Sequence, residues 1–393
     1  MKTQSILLRY HEIAIKGDNR NWFEKCLVQN IKKTLQRTLG QNAPIDLQRI
    51  YGRILLNTEW NSLTSECLQK IFGISNFSPI QKVQTNLDSI LLGILNESQT
   101  YITENGYPQS FRIKTRRSEK ALEKTSAELN QYFGSEILKN FPAFKVDLKN
   151  PELTLGIEIR RKESFIWSQK ILGSGGLPVG TQSPVLALLS GGLDSPVAAI
   201  QIMKRGSPTS YIHFYGTPFV GKESLQKIEN LVRVLNRYQP SPQPLYIIPF
   251  GSIQEKIAQV TQPKFRTILY RRMMIRISNE IALKIKAKAL LTGESVGQVA
   301  SQTIENISTI ESVSQIPIFR PFVASNKDEI ITKAKIWGTY CISIQPALDC
   351  CTLFADHHPA LHSELNQVQA QEKLFSVQEL MKTALQSAEM MIL

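Results

Sequence analysis

LALLSGGLDSPVAAI, residues 186–200, is an apolar run that breaks into Ser-Gly-Gly-Leu-Asp-Ser and turns apolar again at once. VLALLS, without polar alternation, reads as a strand buried on both faces, the habit of parallel sheets. SPVAAIQIMKRG reads as the helix that follows. Two glycines at such a junction serve either a tight structural turn or a cradle for phosphate. Gly191 and Gly192 permit positive φ and let phosphate oxygens approach the backbone. Ser190 and Ser195 add hydroxyl donors, and the helix start adds unpaired N–H groups backed by the helix dipole. Asp194 is the odd member, because a carboxylate repels phosphate unless it holds Mg²⁺ or a proton. The stretch is neither the GxxxxGK[ST] of a Walker A loop nor a three-glycine dinucleotide fingerprint.

From here to the end, strands alternate with helices: SYIHFYG, PLYIIPF and ALLTG against KESLQKIENLVRVLNRY, ILYRRMMIRISNEIALKIKA and NKDEIITKAKIWG. That order predicts a parallel sheet covered on both faces, with ligands outside the carboxyl ends of its strands. TGESVGQVASQT, directly after ALL, is then a polar loop at such an end, or an ordinary surface loop. Working back from the glycines, ILGSGGLPVGTQSP (171–184) has linker composition. Before it stand two small α+β patterns, residues 1–80 and 81–170. The first pairs a strand over SILLRYHEIAI with an amphipathic helix carrying Trp22, Phe23, Leu27, Ile31 and Leu35. The second includes the strand SFRIKTRR. Residues 185–393 form the largest domain, closing in a helical tail.

The 393 residues carry a net charge of +13, which suits a polyanionic partner. No apolar run approaches the roughly 20 residues of a membrane span, and no secretion signal is visible, so a cytoplasmic location without membrane contact is expected. The five cysteines, Cys26, Cys67, Cys341, Cys350 and Cys351, argue against a disulfide scaffold.

SGGLDSP after an apolar strand resembles the PP-loop of ATP pyrophosphatases, which split ATP between the α- and β-phosphates. More narrowly, RYHEIAIKGDNR, IFGISNFSP, FRIKTRRSEK, LLSGGLDSPVA, YRRMMIRI, TGESVGQVASQT and DCCTLF together resemble the tRNA uracil 4-sulfurtransferases of the ThiI type along nearly the whole chain. The resemblance implies an α/β protein. Its parallel-sheet PP-loop domain, of the adenine nucleotide alpha-hydrolase-like kind, follows two small α+β domains, ferredoxin-like and THUMP. The implied reaction is ATP-dependent replacement of oxygen by sulfur at C4 of a tRNA uridine, expected at position 8. Adenylation of O4 makes a poor leaving group into AMP and releases pyrophosphate. Another PP-loop reaction on RNA, such as amidation or ligation, and an inactive THUMP-type RNA-binding protein are the alternatives.

By the same resemblance, Leu188, Leu189, His213 and Phe214 line an adenosine pocket, and Arg271, Gly293 and Gln302 complete the nucleotide contacts. Asp194 serves the chemistry, with Mg²⁺ expected beside ATP. Cys350 and Cys351 both fit the sulfur-carrying position, and Cys350, which follows Asp349, is favoured. No iron–sulfur cluster is expected, since no cysteine stands near YRRMM. Many relatives carry a C-terminal rhodanese domain that is missing here, so sulfur would come from a cysteine desulfurase, a separate rhodanese or sulfide. Arg112, Lys114, Arg116, Arg117 and Lys120 run along and past one strand and are expected to contact tRNA. A homodimer and a part in thiamine synthesis, as in some relatives, stay open.

Overall fold

A computed structural model of the chain describes residues 3–119, 121–347, 350, 353–356 and 358–393. The chain divides into two units, residues 1–175 and 176–393.

The first unit opens with β1 (Thr3–Arg9), α1 (Arg20–Leu39), β2 (Asp46–Ile50), β3 (Arg53–Glu59), α2 (Ser62–Lys70) and β4 (Asn76–Gln84). This βαββαβ order, with antiparallel strands side by side as β2-β3-β1-β4, is ferredoxin-like. α1 buries Phe23, Leu27, Ile31 and Leu35, one helical stripe, while Trp22 lies a step off it and stays 48% exposed. β1 ends at Arg9, and a short 3-10 turn over Glu12–Ile15 replaces the second half of the strand expected there. Burial of β4 is irregular along its length, so period-2 patterning does not announce it.

The unit continues with α3 (Leu87–Asn105), β5 (Ser110–Arg117), α4 (Ser126–Asn140), β6 (Lys145–Val146), β7 (Leu153–Ile159), β8 (Glu163–Trp167) and β9 (Ile171–Leu172). Asn86 caps α3 through the Ser89 N–H, and Thr125 with Glu128 forms a reciprocal capping box on α4. Both helices bury apolar side chains, among them Ile94, Leu129 and Phe133, with Phe111 and Leu155 of the sheet. β4 serves β1 and β8 along successive halves, with β9 pairing at Asn76 and Phe77. Its first five residues pair with β1, and Gln81–Gln84 pair with β8, so one sheet runs β2-β3-β1-β4-β8-β7-β5-β6. The boundary expected at residue 80 therefore falls inside a strand.

The stretch expected to be a linker is packed structure. β9 pairs with β4, and the N–H groups of Gly173 and Gly175 donate to the carbonyls of Ser75 and Ile74. Beyond Gly175 the chain belongs to the second unit, where Leu177 and Val179 are buried. Gly173 and Gly176 meet close backbone approaches, whereas Gly175 and Gly180 have open space and a positive φ.

The second unit follows as β10 (Val185–Leu188), α5 (Asp194–Lys204), β11 (Thr209–Tyr215), α6 (Lys222–Leu235), β12 (Pro244–Pro249), α7 (Gly251–Val260), α8 (Arg266–Lys284), β13 (Ala289–Leu291), α9 (Ile304–Glu311), β14 (Ile318–Phe319), α10 (Lys327–Ile336), α11 (Tyr340–Ser343), α12 (Leu365–Glu372), α13 (Val377–Gln386) and β15 (Glu389–Ile392). The sheet order is β14-β13-β10-β11-β12-β15. Its first five strands are parallel as expected; β15, from the tail, adds an antiparallel edge. The chain steps from β10 to β11 and β12 on one side, then returns to β13 on the other. That reversal opens a crevice beyond the carboxyl end of β10. α8 contributes Leu269, Met273 and Ile277 to the core beneath the sheet. Fully buried Arg272 and neighbouring Arg276 both pair with Glu372, fastening α12 to α8. Among the described residues, no helix is long and apolar enough to cross a membrane.

Candidate nucleotide site and basic sheet face

The crevice holds a cavity of about 160 Å³. Leu188, Leu189, Ser190, Asp194 and Ser195 line it from the strand end, loop and helix start. His213 and Phe214 come from the end of β11, Arg271 from α8, and Gly293 and Gln302 from the loop after β13. Residues as far apart as Leu188 and Gln302 thus converge because the parallel strands β10, β11 and β13 end at one edge.

The loop is held by its own hydroxyls. Ser195 Oγ accepts from the Ser190 N–H at 2.9 Å, and the two hydroxyls lie 3.0 Å apart. No side chain caps α5, so its first-turn N–H groups stay available to an anion. Gly191 and Gly192 stand in this loop without positive φ. Their use is space: a Cβ on Gly192 would meet only Ser190 Oγ, at 3.5 Å. Gly293 is different. A Cβ there would lie 2.5 Å from the Ser195 backbone nitrogen, so only glycine lets the loop after β13 press against the start of α5.

His213 is buried and its Nδ1 donates to the Leu189 carbonyl at 2.9 Å, which ties β11 to the loop. Phe214 packs edge-to-face on Phe250, centroids 5.2 Å apart. The Gln302 side-chain Oε1 and Arg271 Nε are buried with no hydrogen-bond partner among the described residues. Such atoms in a cavity wall call for a polar ligand.

Charged residues complete the cavity surroundings. Lys327, the first residue of α10, holds Asp194 Oδ1 at 2.6 Å, and Gln298 Nε2 reaches Oδ2 at 3.5 Å. Glu294 pairs with Arg271 and Arg320. Nothing in the local sequence singles out Lys327, Glu294 or Arg320 as a functional residue. Glu294 stood inside the quoted TGES loop, but nothing local marks Lys327, 133 residues from its partner.

Cys350 also lines the cavity, yet it is 5% exposed and packed in the core. Its Sγ donates to Gln254 Oε1 at 3.0 Å, and Gln254 Nε2 donates to the Cys350 carbonyl at 2.8 Å. The thiol is thus bonded to a neutral amide in apolar surroundings. Cys351 lies outside the described residues. Cys341 is exposed on α11, and among the described residues no His, Cys, Asp or Glu cluster could hold a metal ion. The segment leading to Cys350 is tied to the glycine loop: Ser343 Oγ donates to the Gly192 carbonyl at 3.1 Å, and Lys227, packed on Gly191, donates to the Gln345 carbonyl at 2.6 Å.

In the first unit, strand alternation sorts the basic run. Phe111, Ile113 and Thr115 are buried, so Arg112, Lys114 and Arg116 share the opposite face of β5. Arg117 falls on the other side and donates to the Lys124 carbonyl; Lys120 lies outside the described residues. Lys114 pairs across to Gly156, and Gly156 to Trp167, whose ring lies over the side-chain-free glycine. The Arg9 guanidinium stacks 4.3 Å above that ring. Nearby, Glu158 is buried between Arg53 and Arg160. Burial pushes Arg9 down to about 10, with Glu158 opposing and Arg53 and Arg116 adding to the fall.

Residues 180–377 match the family model for thiamine biosynthesis protein (ThiI), 5–78 the ThiI ferredoxin-like domain and 86–168 the THUMP domain. A probable tRNA sulfurtransferase of Moorella thermoacetica is 38% identical over 388 residues, 98% of this chain and 97% of the relative. One of Staphylococcus epidermidis is 35% identical over 389 residues, 99% of this chain and 94% of the relative. A crystal structure of a 4-thiouridine synthetase–RNA complex with bound ATP superposes with a TM-score of 0.89 at 35% identity, covering 100% of both chains. Homology over the full length, with three domains in the same order, makes this chain a member of the ThiI family.

Proposed function

We propose that this chain catalyses ATP-dependent transfer of sulfur to tRNA, forming 4-thiouridine. The observation that carries the reading is the cavity beyond β10, where an uncapped helix start, a hydroxyl-lined glycine loop and buried unpartnered polar atoms of Gln302 and Arg271 meet. ATP is a substrate. Leu188, Leu189, His213 and Phe214 form the wall for its adenosine; Ser190, Gly191, Gly192 and Ser195 face its phosphates; Arg271, Gly293 and Gln302 complete the contacts. Magnesium would be held mainly by phosphate oxygens, with Asp194 as protein ligand, and would neutralise charge on the leaving pyrophosphate.

The uridine at position 8 presents O4 to the α-phosphorus, and pyrophosphate departs. The terminal sulfur of the carrier persulfide then attacks C4 and AMP leaves with the former O4. A second thiol attacks the carrier sulfur, the S–S bond to the base breaks to release 4-thiouridine, and the resulting disulfide is reopened by a thiol reductant. Positioning and charge neutralisation are the protein's share of the first step. The carrier is a thiol of the Cys350–Cys351 pair, loaded by a cysteine desulfurase or a separate rhodanese-type protein in the cytoplasm. The basic face of Arg112, Lys114 and Arg116 grips the RNA backbone, which selects shape rather than sequence.

The test is reconstitution: purified protein, unmodified tRNA transcript, ATP and a persulfide donor, with nucleosides analysed by mass spectrometry. The expected result is 4-thiouridine formed with stoichiometric AMP and pyrophosphate. Thiolation without nucleotide consumption would sink the reading.

A further inference from the structure

The cavity has a charged wall that the glycine loop does not account for. Glu294, just beyond β13, is 8% exposed, and its two carboxylate oxygens serve different arginines. Oε1 accepts from Arg271 Nη1; Oε2 accepts from Arg320 Nε at 2.8 Å and from the Thr292 hydroxyl at 2.9 Å. Arg271 arrives from α8 and Arg320 follows β14, so the carboxylate joins three elements at the crevice. Burial pushes the Glu294 carboxyl up, and the two guanidiniums more than reverse this, leaving it below its ordinary value. It is a buried anion kept ionised by its partners.

Two guanidiniums in one buried wall repel each other and lean toward water unless an anion stands between them. Arg320 has a second fastening, Nη1 to Glu311 Oε2 at 2.8 Å, whereas Arg271 Nε has no partner among the described residues. Arg271 thus depends on Glu294 for its orientation and keeps a donor for a ligand.

We propose that Glu294 is a positioning residue for ATP: it divides its carboxylate between Arg271 and Arg320 and so holds both guanidiniums in the cavity wall in the orientation the nucleotide meets. This rests on the reading that ATP occupies the cavity. Its sign separates it from simple electrostatics. Removing a negative charge beside a polyphosphate site tightens anion binding by Coulomb attraction alone. Loss of positioning weakens it.

The test is ATP affinity by equilibrium dialysis on the full chain, with steady-state thiolation and tRNA affinity measured in parallel. E294Q, nearly isosteric, is expected to weaken ATP binding between about ten- and a hundredfold and to raise KM for ATP accordingly. Its kcat at saturating ATP should stay within about threefold, and its tRNA affinity should not change. E294D, which keeps the charge, should recover most of the lost affinity. Unchanged or tighter ATP binding by folded E294Q would overturn the proposal. Should E294Q fail to fold, T292V, which removes one anchor and leaves the charge, is expected to weaken ATP binding about threefold; an unchanged affinity there would overturn it equally. Absence of ATP binding by the unsubstituted protein would instead remove the cavity reading beneath it.

Discussion

Lys327 Nζ lies 2.6 Å from Asp194 Oδ1, so the first residue of α10 clamps the first residue of α5. The carboxylate is thereby fixed at the mouth of the glycine loop, with Gln298 at its other oxygen. Asp194→Ala should lower thiolation by at least about a hundredfold while leaving tRNA affinity nearly unchanged. Lys327→Met should lower it in the same direction, since it frees the same carboxylate. Normal thiouridine content in either variant would remove the pair from the chemistry.

Gly293→Ala puts a methyl group against the Ser195 backbone nitrogen. Overpacking of this kind costs about 1–3 kcal/mol, and here it must push the start of α5 away from the loop after β13. The expected outcome is a lower urea midpoint together with weaker ATP binding. Gly192→Ala, whose Cβ meets no backbone atom, should leave the midpoint alone and affect only nucleotide binding.

Cys350 and Cys341 differ in burial. Cys350 should react with iodoacetamide much more slowly than exposed Cys341 in the native protein, the rates converging in denaturant. Cys350→Ala leaves Gln254 Oε1 without its donor and should cost about 1–3 kcal/mol of stability. C350S and C351S, assayed side by side, identify the carrier by which one loses sulfur transfer while retaining pyrophosphate release. Full activity in both would remove the persulfide route.

The face of β5 makes a paired prediction. Lys114→Ala and Arg116→Ala should each weaken tRNA binding and reduce the salt slope of log Kd by about one. Arg117→Ala, on the opposite face, should leave that slope unchanged. Equal effects from all three would mean that the strand does not present one face to RNA.

Acid stability follows from Glu158 and Glu372. Burial raises each carboxyl, but Arg53 and Arg160 on Glu158, and Arg276 and Arg272 on Glu372, pull each below the ordinary 4.5. A carboxyl depressed in the folded state stabilises above its unfolded pKa, and that contribution fades as pH falls through the folded value. Stability should therefore decline below about pH 4.5. Glu158→Gln and Glu372→Gln should be less stable than the unsubstituted chain at pH 7, and the difference should shrink at pH 3 in urea titrations.

The core of the site was legible because its residues are neighbours: an unbroken apolar strand, two glycines and hydroxyls within ten positions announce a loop whatever surrounds them. His213 and Arg271 came only with family resemblance, since a histidine at a strand end and an arginine in a helix have many local explanations. Glu294, Arg320 and Lys327 acquire meaning only when β13, β14 and α10 reach one edge, and periodicity carries no record of that meeting. The favoured role of Cys350 rests on Asp349 beside it, whereas its hydrogen-bond partner Gln254 lies 96 positions away and leaves no mark on the local sequence. In the first unit β4 was missed because its two ends answer to different neighbours.

That divided strand has a consequence for inheritance and engineering. Residues 76–80 pair with β1 and residues 81–84 with β8, so one continuous strand joins the two halves of the sheet. A chimaera joined at residue 80 would sever hydrogen-bonded ladders on both sides of the cut and expose two raw edges. The ferredoxin-like and THUMP portions are therefore a single exchangeable cassette, and the seam for swapping it lies at Gly175–Gly176.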